Sequence, residues 1–227
     1  LSCKKKENTT VPVEGIQNSP YSVSNATVFS GFFTSVTNTF VFSHTVTIEA
    51  LSEVYFNNTA NSSPSNSIKI NDLKLNGTFF PYDSINKVYR SNTSNNLGKE
   101  VWEVSGSGAI PSFNFINNAT PPNCQSYVLP DSISFGSGIT INIPGAINIT
   151  SGSQVTIYDN NFIGISKPIV NGNNSVFFSS SELWGLSFVG DGYISVDLQN
   201  AQNLNFYGKD FKFVKQKGFL KFVKFIP

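Results

Sequence analysis

One histidine, His44, and two cysteines, Cys3 and Cys124, serve the whole 227-residue chain. A Ser-His-Asp or Cys-His arrangement takes its base from a histidine, and a zinc site draws most of its three or four ligands from His and Cys. His44 falls on the same side of an apolar–polar alternation as Phe42, Val46 and Ile48, which predicts a core histidine rather than a general base. Paired carboxylates are another route to hydrolysis. Glu100 and Glu103 flank Trp102, but residues three apart on a strand point to opposite faces. Glu49 and Glu53 share a face, with no further group to support catalysis. Ser84 and Lys87 have the Ser-x-x-Lys spacing of a serine nucleophile and its base, yet the helix start and the Ser-Asp-Asn and Lys-Thr-Gly partners are missing. The glycine pairs 106/108, 136/138 and 190/192 lack the third glycine and following helix of a phosphate cradle, and read as turns or bulges. Asp159-Asn160-Asn161 and Asp191-Gly192 could feed oxygens to Ca²⁺ but lack the carboxylate density of a calcium loop. The residues therefore predict no enzyme, no metal and no cofactor.

The elements that would position these residues are strands. Asn (28 residues), Ser, Thr, Gly and β-branched residues dominate, while the strong helix formers are scarce. The segment 41–48 reads as one strand, and Ile68, Ile70, Leu73 and Leu75 suggest another with a local slip. Ile139, Ile141 and Ile143 alternate with Thr140 and Asn142, and Ile194, Val196 and Leu198 alternate with Ser195 and Asp197. Such short period-2 stretches between Asn/Gly/Ser/Pro clusters predict an all-β chain of sandwich or barrel type. Only 13% of residues are charged while 21 are Phe, a composition of folded rather than disordered chains. No apolar run reaches the roughly 18 residues of a membrane-spanning helix. A net charge of +1 gives no bulk attraction to nucleic acid.

Two composition breaks divide the chain. Residues 1–20 hold three consecutive lysines, Pro12 and Pro20, and read as a flexible tether. Residues 123–130 follow Pro121-Pro122 and end at Pro130, which suits a linker. The blocks 21–122 and 131–227 then predict two tandem immunoglobulin-like β-sandwiches, with one long sandwich as the alternative. Residues 209–227 carry Lys209, Lys212, Lys215, Lys217, Lys221 and Lys224 against Asp210 alone. They predict a hairpin turning at Lys217-Gly218, whose lysines either guard an edge strand or, at Lys212, Lys215, Lys217, Lys221 and Lys224, dock an acidic partner or anionic lipid. Lys217 to Phe225 also resembles the RNP1 strand of RNA-recognition motifs, but one inserted residue turns its later aromatics to the wrong face.

Leu1-Ser2-Cys3 before Lys4-Lys5-Lys6 resembles a bacterial lipobox with its retention tether, which implies acylation of Cys3. Each buried acyl CH₂ is worth roughly 0.8 kcal/mol, so two or three chains hold a protein to a membrane permanently. A Cys3–Cys124 disulfide is the competing fate. Cys124 by itself reads as a lone, partly buried thiol.

The run from Val176 through Ser179-Ser180-Ser181-Glu182-Leu183-Trp184-Gly185-Leu186, then Gly190-Asp191-Gly192-Tyr193-Ile194-Ser195-Val196, resembles Bacteroidetes envelope lipoproteins with sandwich domains. Val101-Trp102-Glu103-Val104 through Pro111 is similar to a passage in their first domain. The resemblance imports no catalytic residue. It implies an outer-membrane lipoprotein, facing the surface or the periplasm, that serves as an accessory subunit of an envelope complex and docks on an outer-membrane protein such as a β-barrel. It also implies O-glycan acceptors at Asp-Ser-aliphatic triplets, which makes Ser84 and Ser132 candidates. The alternative function is a surface carbohydrate-binding or adhesive module, with Trp102 or Trp184 as the stacking platform. The lipobox-like start gives a direct expectation. Cys3→Ala in the full precursor should move the protein from the membrane to the soluble fraction, as read by fractionation and immunoblotting.

Overall fold

The computed structural model describes residues 16–42, 45–57, 67–92, 98–125, 128–170, 172–173, 175–186 and 190–226. Cys3 and His44 lie outside them. Strand dominates: β1 is Ser22–Val23, β2 Gly31–Phe42, β3 Thr45–Phe56, β4 Asp72–Leu75, β5 Thr78–Phe79, β6 Tyr82–Asp83, β7 Val88–Ser91 and β8 Glu100–Ser105. They are followed by β9 Phe113–Asn117, β10 Ser132–Ser134, β11 Ile139–Asn142, β12 Gln154–Tyr158, β13 Gly164–Pro168, β14 Ser175–Phe178, helix α1 Ser180–Leu183, β15 Asp191–Phe206 and β16 Lys209–Ile226. The chain is all-β, as its composition predicts.

One large sheet runs β13-β12-β15-β16-β2-β3-β7-β6, with β1 added beside β15 and β10 beside β16. Its middle is the hairpin of β15 and β16, in which Asp191 opposes Lys224 and Phe206 opposes Lys209. The turn is Tyr207-Gly208, both with positive φ (51° and 80°), the geometry whose twist suits a two-residue hairpin. Lys217-Gly218 is therefore not a turn. It sits inside β16, which lies between β15 and β2 and has no open edge there to guard. The segment 41–48 is likewise two strands, since β2 ends at Phe42, β3 begins at Thr45, and these two residues are paired.

Alternation sends Ile194, Val196 and Leu198 of β15 to one face, here called inner, opposite Lys221, Phe219 and Lys217 of β16. Two hydrophobic clusters fill that face. At one end the sheet β5-β4-β8-β9 covers a phenylalanine-rich cluster, where Phe33 and Phe213 stack at 4.4 Å and Phe113 and Phe206 at 4.3 Å around fully buried Trp102. At the other end the pair β11–β14, with α1, covers an aliphatic cluster that includes Ile141, Ile143, Val155, Ile157, Leu183 and Val196. The phenylalanine cluster draws Leu204, Phe206, Phe211 and Phe213 from the end of the chain, so the large sheet passes through both halves.

Between the clusters the inner face of β16 turns polar. Lys215 is fully buried, and its Nζ donates to the carbonyls of Gly98, Asn117 (3.3 Å) and Ala119 (2.9 Å). Lys217 donates to Asn123 Oδ1 at 2.8 Å. Lys221 donates to Leu129 O at 2.7 Å and pairs with Asp131 at 2.8 Å, and Asn200 Nδ2 donates to Thr120 O. These contacts hold residues 117–131 across the sheet, and Cys124 and Leu129 sink into the aliphatic cluster. Among its described residues, the segment that reads as a linker is thus anchored at Asn123, Cys124 and Gln125 and again at Leu129. At the other terminus, residues 18 and 19 of the expected tether bond to β9 through Asn114 and Ile116.

The countercharge near Lys215 is Glu100, nearly fully buried, whose Oε2 accepts from Trp102 Nε1 at 3.2 Å and from Asn117 Nδ2 at 3.0 Å. Burial pushes the Glu100 carboxyl up and the Lys215 ammonium down, and their mutual attraction opposes both shifts. Removing one member strands the other in a dry site. Lys215→Ala is expected to cost about 3–5 kcal/mol in urea unfolding, whereas Lys224→Ala leaves the midpoint in place.

Candidate ligand site on the outer face of the large sheet

The alternation that buries Ile194, Val196 and Leu198 turns Tyr193, Ser195 and Asp197 outward. Register across β12, β15 and β16 then sets Tyr158 beside Tyr193 and Tyr193 beside Phe222. The first two rings stack at 4.8 Å and 26°, and the next pair stands 5.9 Å apart at 45°. Phe162, 76% exposed, adds its ring edge-on to Tyr193 at 5.6 Å. Phe162 has φ of 62°, uncommon for a bulky residue. The buried Asp159 holds the loop in this form: its Oδ1 accepts from the N–H groups of Asn161 (2.8 Å) and Ile163 (3.0 Å). Strain fixed in this way is a frequent mark of a ligand-contacting position.

Phe40, Phe162, Tyr193, Leu220 and Phe222 wall an open cleft of about 480 Å³, with Asn160 and Asp191 at its rim. Phe40 and Leu220 also wall a smaller neighbouring hollow of about 180 Å³. That hollow is polar. Asn38, Ser195, Asp197 and Gln216 surround Gly218, where a Cβ would come within 2.2 Å of Asn38 Oδ1. Ser195 Oγ donates to Asp197 Oδ2 at 2.9 Å, and Gln216 Nε2 to Oδ1 at 3.3 Å. An apolar cleft beside a few convergent polar groups is the usual form of a small-ligand or saccharide site.

The residues singled out from sequence lie elsewhere. Trp102 is in the core, sealed from any ligand, because it lies with Glu100 and Val104 on the inward side of β8 while Glu103 and Ser105 take the outward side. Trp184 is 56% exposed at the end of α1, near Phe135, in the layer that covers the inner face. Of the five docking lysines, Lys215 is buried and Lys217 and Lys221 are engaged on the inner face, while Lys212 and Lys224 point outward. Ser84 is exposed in a turn where Asp83 Oδ1 accepts from Ile85 and Asn86, and Ser132 is exposed on β10. Glu53 is bound by Arg90, and Glu103 lies 3.9 Å from Lys74 while Glu100 is buried on the other side of the strand. Among the described residues no cluster of His, Cys, Asp or Glu could hold a metal ion, and no helix is long and apolar enough to cross a membrane.

The Ser179-Ser180-Ser181-Glu182 passage is a helix start. Ser179 and Glu182 form a capping box, and Lys167 donates to Glu182 Oε2 at 2.8 Å, which holds that carboxyl down at about 2. No protein-family profile, curated protein or solved structure matches the chain.

The sequence reading missed Tyr158, Phe162, Tyr193, Asp197 and Phe222. The outward partners of the Ile194/Val196/Leu198 alternation were the available signal.

Burial raises the pKa of the Asp197 carboxyl above its ordinary 3.8, against the hydrogen bonds from Ser195 and Gln216. The folded state keeps this proton to higher pH than the unfolded chain does. The group's stabilising contribution is therefore complete below the ordinary value and is lost as pH rises through the raised one. Asp197→Asn is expected to melt above the parent at pH 7, and thermal scans of the two should converge as the pH falls toward 3.8.

Proposed function

We propose that the chain is a non-enzymatic, lipid-anchored envelope protein of the bacterial outer membrane that binds a glycan on the outer face of its large sheet. The observation that carries this reading is the row Tyr158–Tyr193–Phe222, joined by Phe162, beside the Asn38/Ser195/Asp197/Gln216 hollow. Aromatic side chains offer apolar surface to the C–H groups of a pyranose, and carboxylate and amide side chains take its hydroxyls. Two sandwich-like units sharing one sheet would leave this face open, in keeping with the layers that cover only the inner side.

A second reading, an accessory subunit of an outer-membrane complex, has its own support. β3 pairs with β7 only at residues 52–54, and Val46 (61% exposed) and Ile48 (68%) stand on its earlier part. An edge of this kind accepts an added strand. On this second reading, Lys212 and Lys224 are the remaining candidates for charged docking.

Titration calorimetry against soluble polysaccharides tests the glycan reading. Tyr193→Ala and Phe222→Ala should each weaken binding about tenfold, or about 1.4 kcal/mol, and Trp184→Ala should leave it unchanged. A chain that binds no saccharide, but is recovered from native membranes with an outer-membrane barrel in fixed proportion, would favour the second reading.

A further inference from the structure

The glycan reading leaves open which saccharides fit, and the register of the outer face bears on that. Three successive rows cross the site. One runs Gln154, Asp197, Gly218, Asn38, Glu49; the next Thr156, Ser195, Leu220, Phe40, Thr47; the third Gln199, Gln216, Val36, Leu51. They contain two carboxylates and no lysine or arginine. The lysines of β16 nearest these rows, Lys215, Lys217 and Lys221, fall on the opposite parity and are engaged with residues 98–131 beneath the sheet. Among the described residues that line the aromatic cleft beside the rows there is no cation either, and Asp191 at the cleft lies opposite Lys224 across the hairpin.

Resting on that reading, we propose that the hollow over Gly218 is the selectivity subsite, that Asp197 takes the hydroxyls of a neutral sugar ring, and that polyanionic glycans are turned away. An ionised carboxylate is an acceptor only, with about four lone-pair directions. Ser195 and Gln216 use one on each oxygen of Asp197, and the others remain for hydroxyl donors. Neighbouring hydroxyls of a neutral ring are such donors. A uronate or sulfate would present acceptors to an acceptor, with no cation within the rows to neutralise it. At Gly218 the missing Cβ makes room for the Asn38 side chain, whose Oδ1 is thereby brought over the glycine beside Asp197 and adds an amide to the hollow. The shared walls Phe40 and Leu220 let one ring lie in the cleft while its hydroxyl edge, or the next ring, reaches the hollow.

The test sets the full chain, by affinity electrophoresis and calorimetry, against neutral β-glucan, mannan and xylan and against polygalacturonate, alginate and heparin. The expected result is binding to at least one neutral polymer and at least a hundredfold weaker binding to every anionic one. Asp197→Asn should lose at least tenfold on the neutral polymer with no drop in melting temperature, and Asn38→Lys should gain binding to an anionic one. Anionic polymers that bind the parent as well as neutral ones overturn the selectivity while the glycan reading stands. An Asp197→Asn variant with parental affinity overturns the assignment of the subsite. Failure of every polymer, neutral and anionic, removes the glycan reading and this inference with it.

Discussion

A buried ammonium set against backbone carbonyls is the contact on which the rest of the architecture depends. Lys215 stands where the inner face of β16 passes from the Phe211/Phe213 end to the Phe219/Val223/Phe225 end, and it gathers the carbonyls of Gly98, Asn117 and Ala119. A lysine in that place has no apolar alternative. It must be paired, or its burial would cost more than a small domain can spare. Glu100 and the carbonyls meet that need, and by doing so they fix the route of residues 117–131. Lys217 and Lys221 extend the same arrangement along the strand.

Two consequences follow for packing and for charge. The polar belt separates the core into a ring-stacked end and an aliphatic end, each closed by its own small sheet or strand pair. It also draws three of the chain's few cations beneath the sheet. The three rows above them are left with apolar side chains, amides, hydroxyls and the carboxylates Asp197 and Glu49, while Lys212 and Lys224 stand on the outer face beyond those rows. The same strand β16 thus stabilises the fold with its odd-numbered side chains and shapes the proposed site with Gln216, Gly218, Leu220 and Phe222. Asp197 is held where burial disfavours its charge, a local cost of the kind that binding sites carry.

The parts legible in the sequence were those set by period-2 alternation. Ile194, Val196 and Leu198 are fully buried, and Ile139–Asn142 is a strand. The β16 lysines were not legible, because a lysine inside a sheet looks the same in sequence as one guarding an edge; only the carbonyls of a segment about a hundred residues earlier distinguish them. Lys217-Gly218 resembled a turn because glycine more often serves backbone freedom than side-chain room. Here Gly218 has ordinary backbone and makes space for Asn38, while the real turn used Tyr207, a residue without turn propensity, beside Gly208. Trp102 and Trp184 drew attention as large rings, yet the rings that cluster on the open face are Tyr and Phe, brought together by register across β12, β15 and β16. Such cross-strand company depends on pairings between distant segments that no local pattern reveals.

Lysine acylation followed by peptide mass spectrometry would test the central claim most directly. In the folded protein at neutral pH, Lys212 and Lys224 should be acetylated quickly, Lys217 and Lys221 slowly, and Lys215 only once urea unfolds the chain. If Lys215 reacts as fast as Lys224 in the native state, the carbonyl-bound lysine belt does not exist. The account of why β16 draws Lys215, Lys217 and Lys221 beneath the sheet would then be wrong.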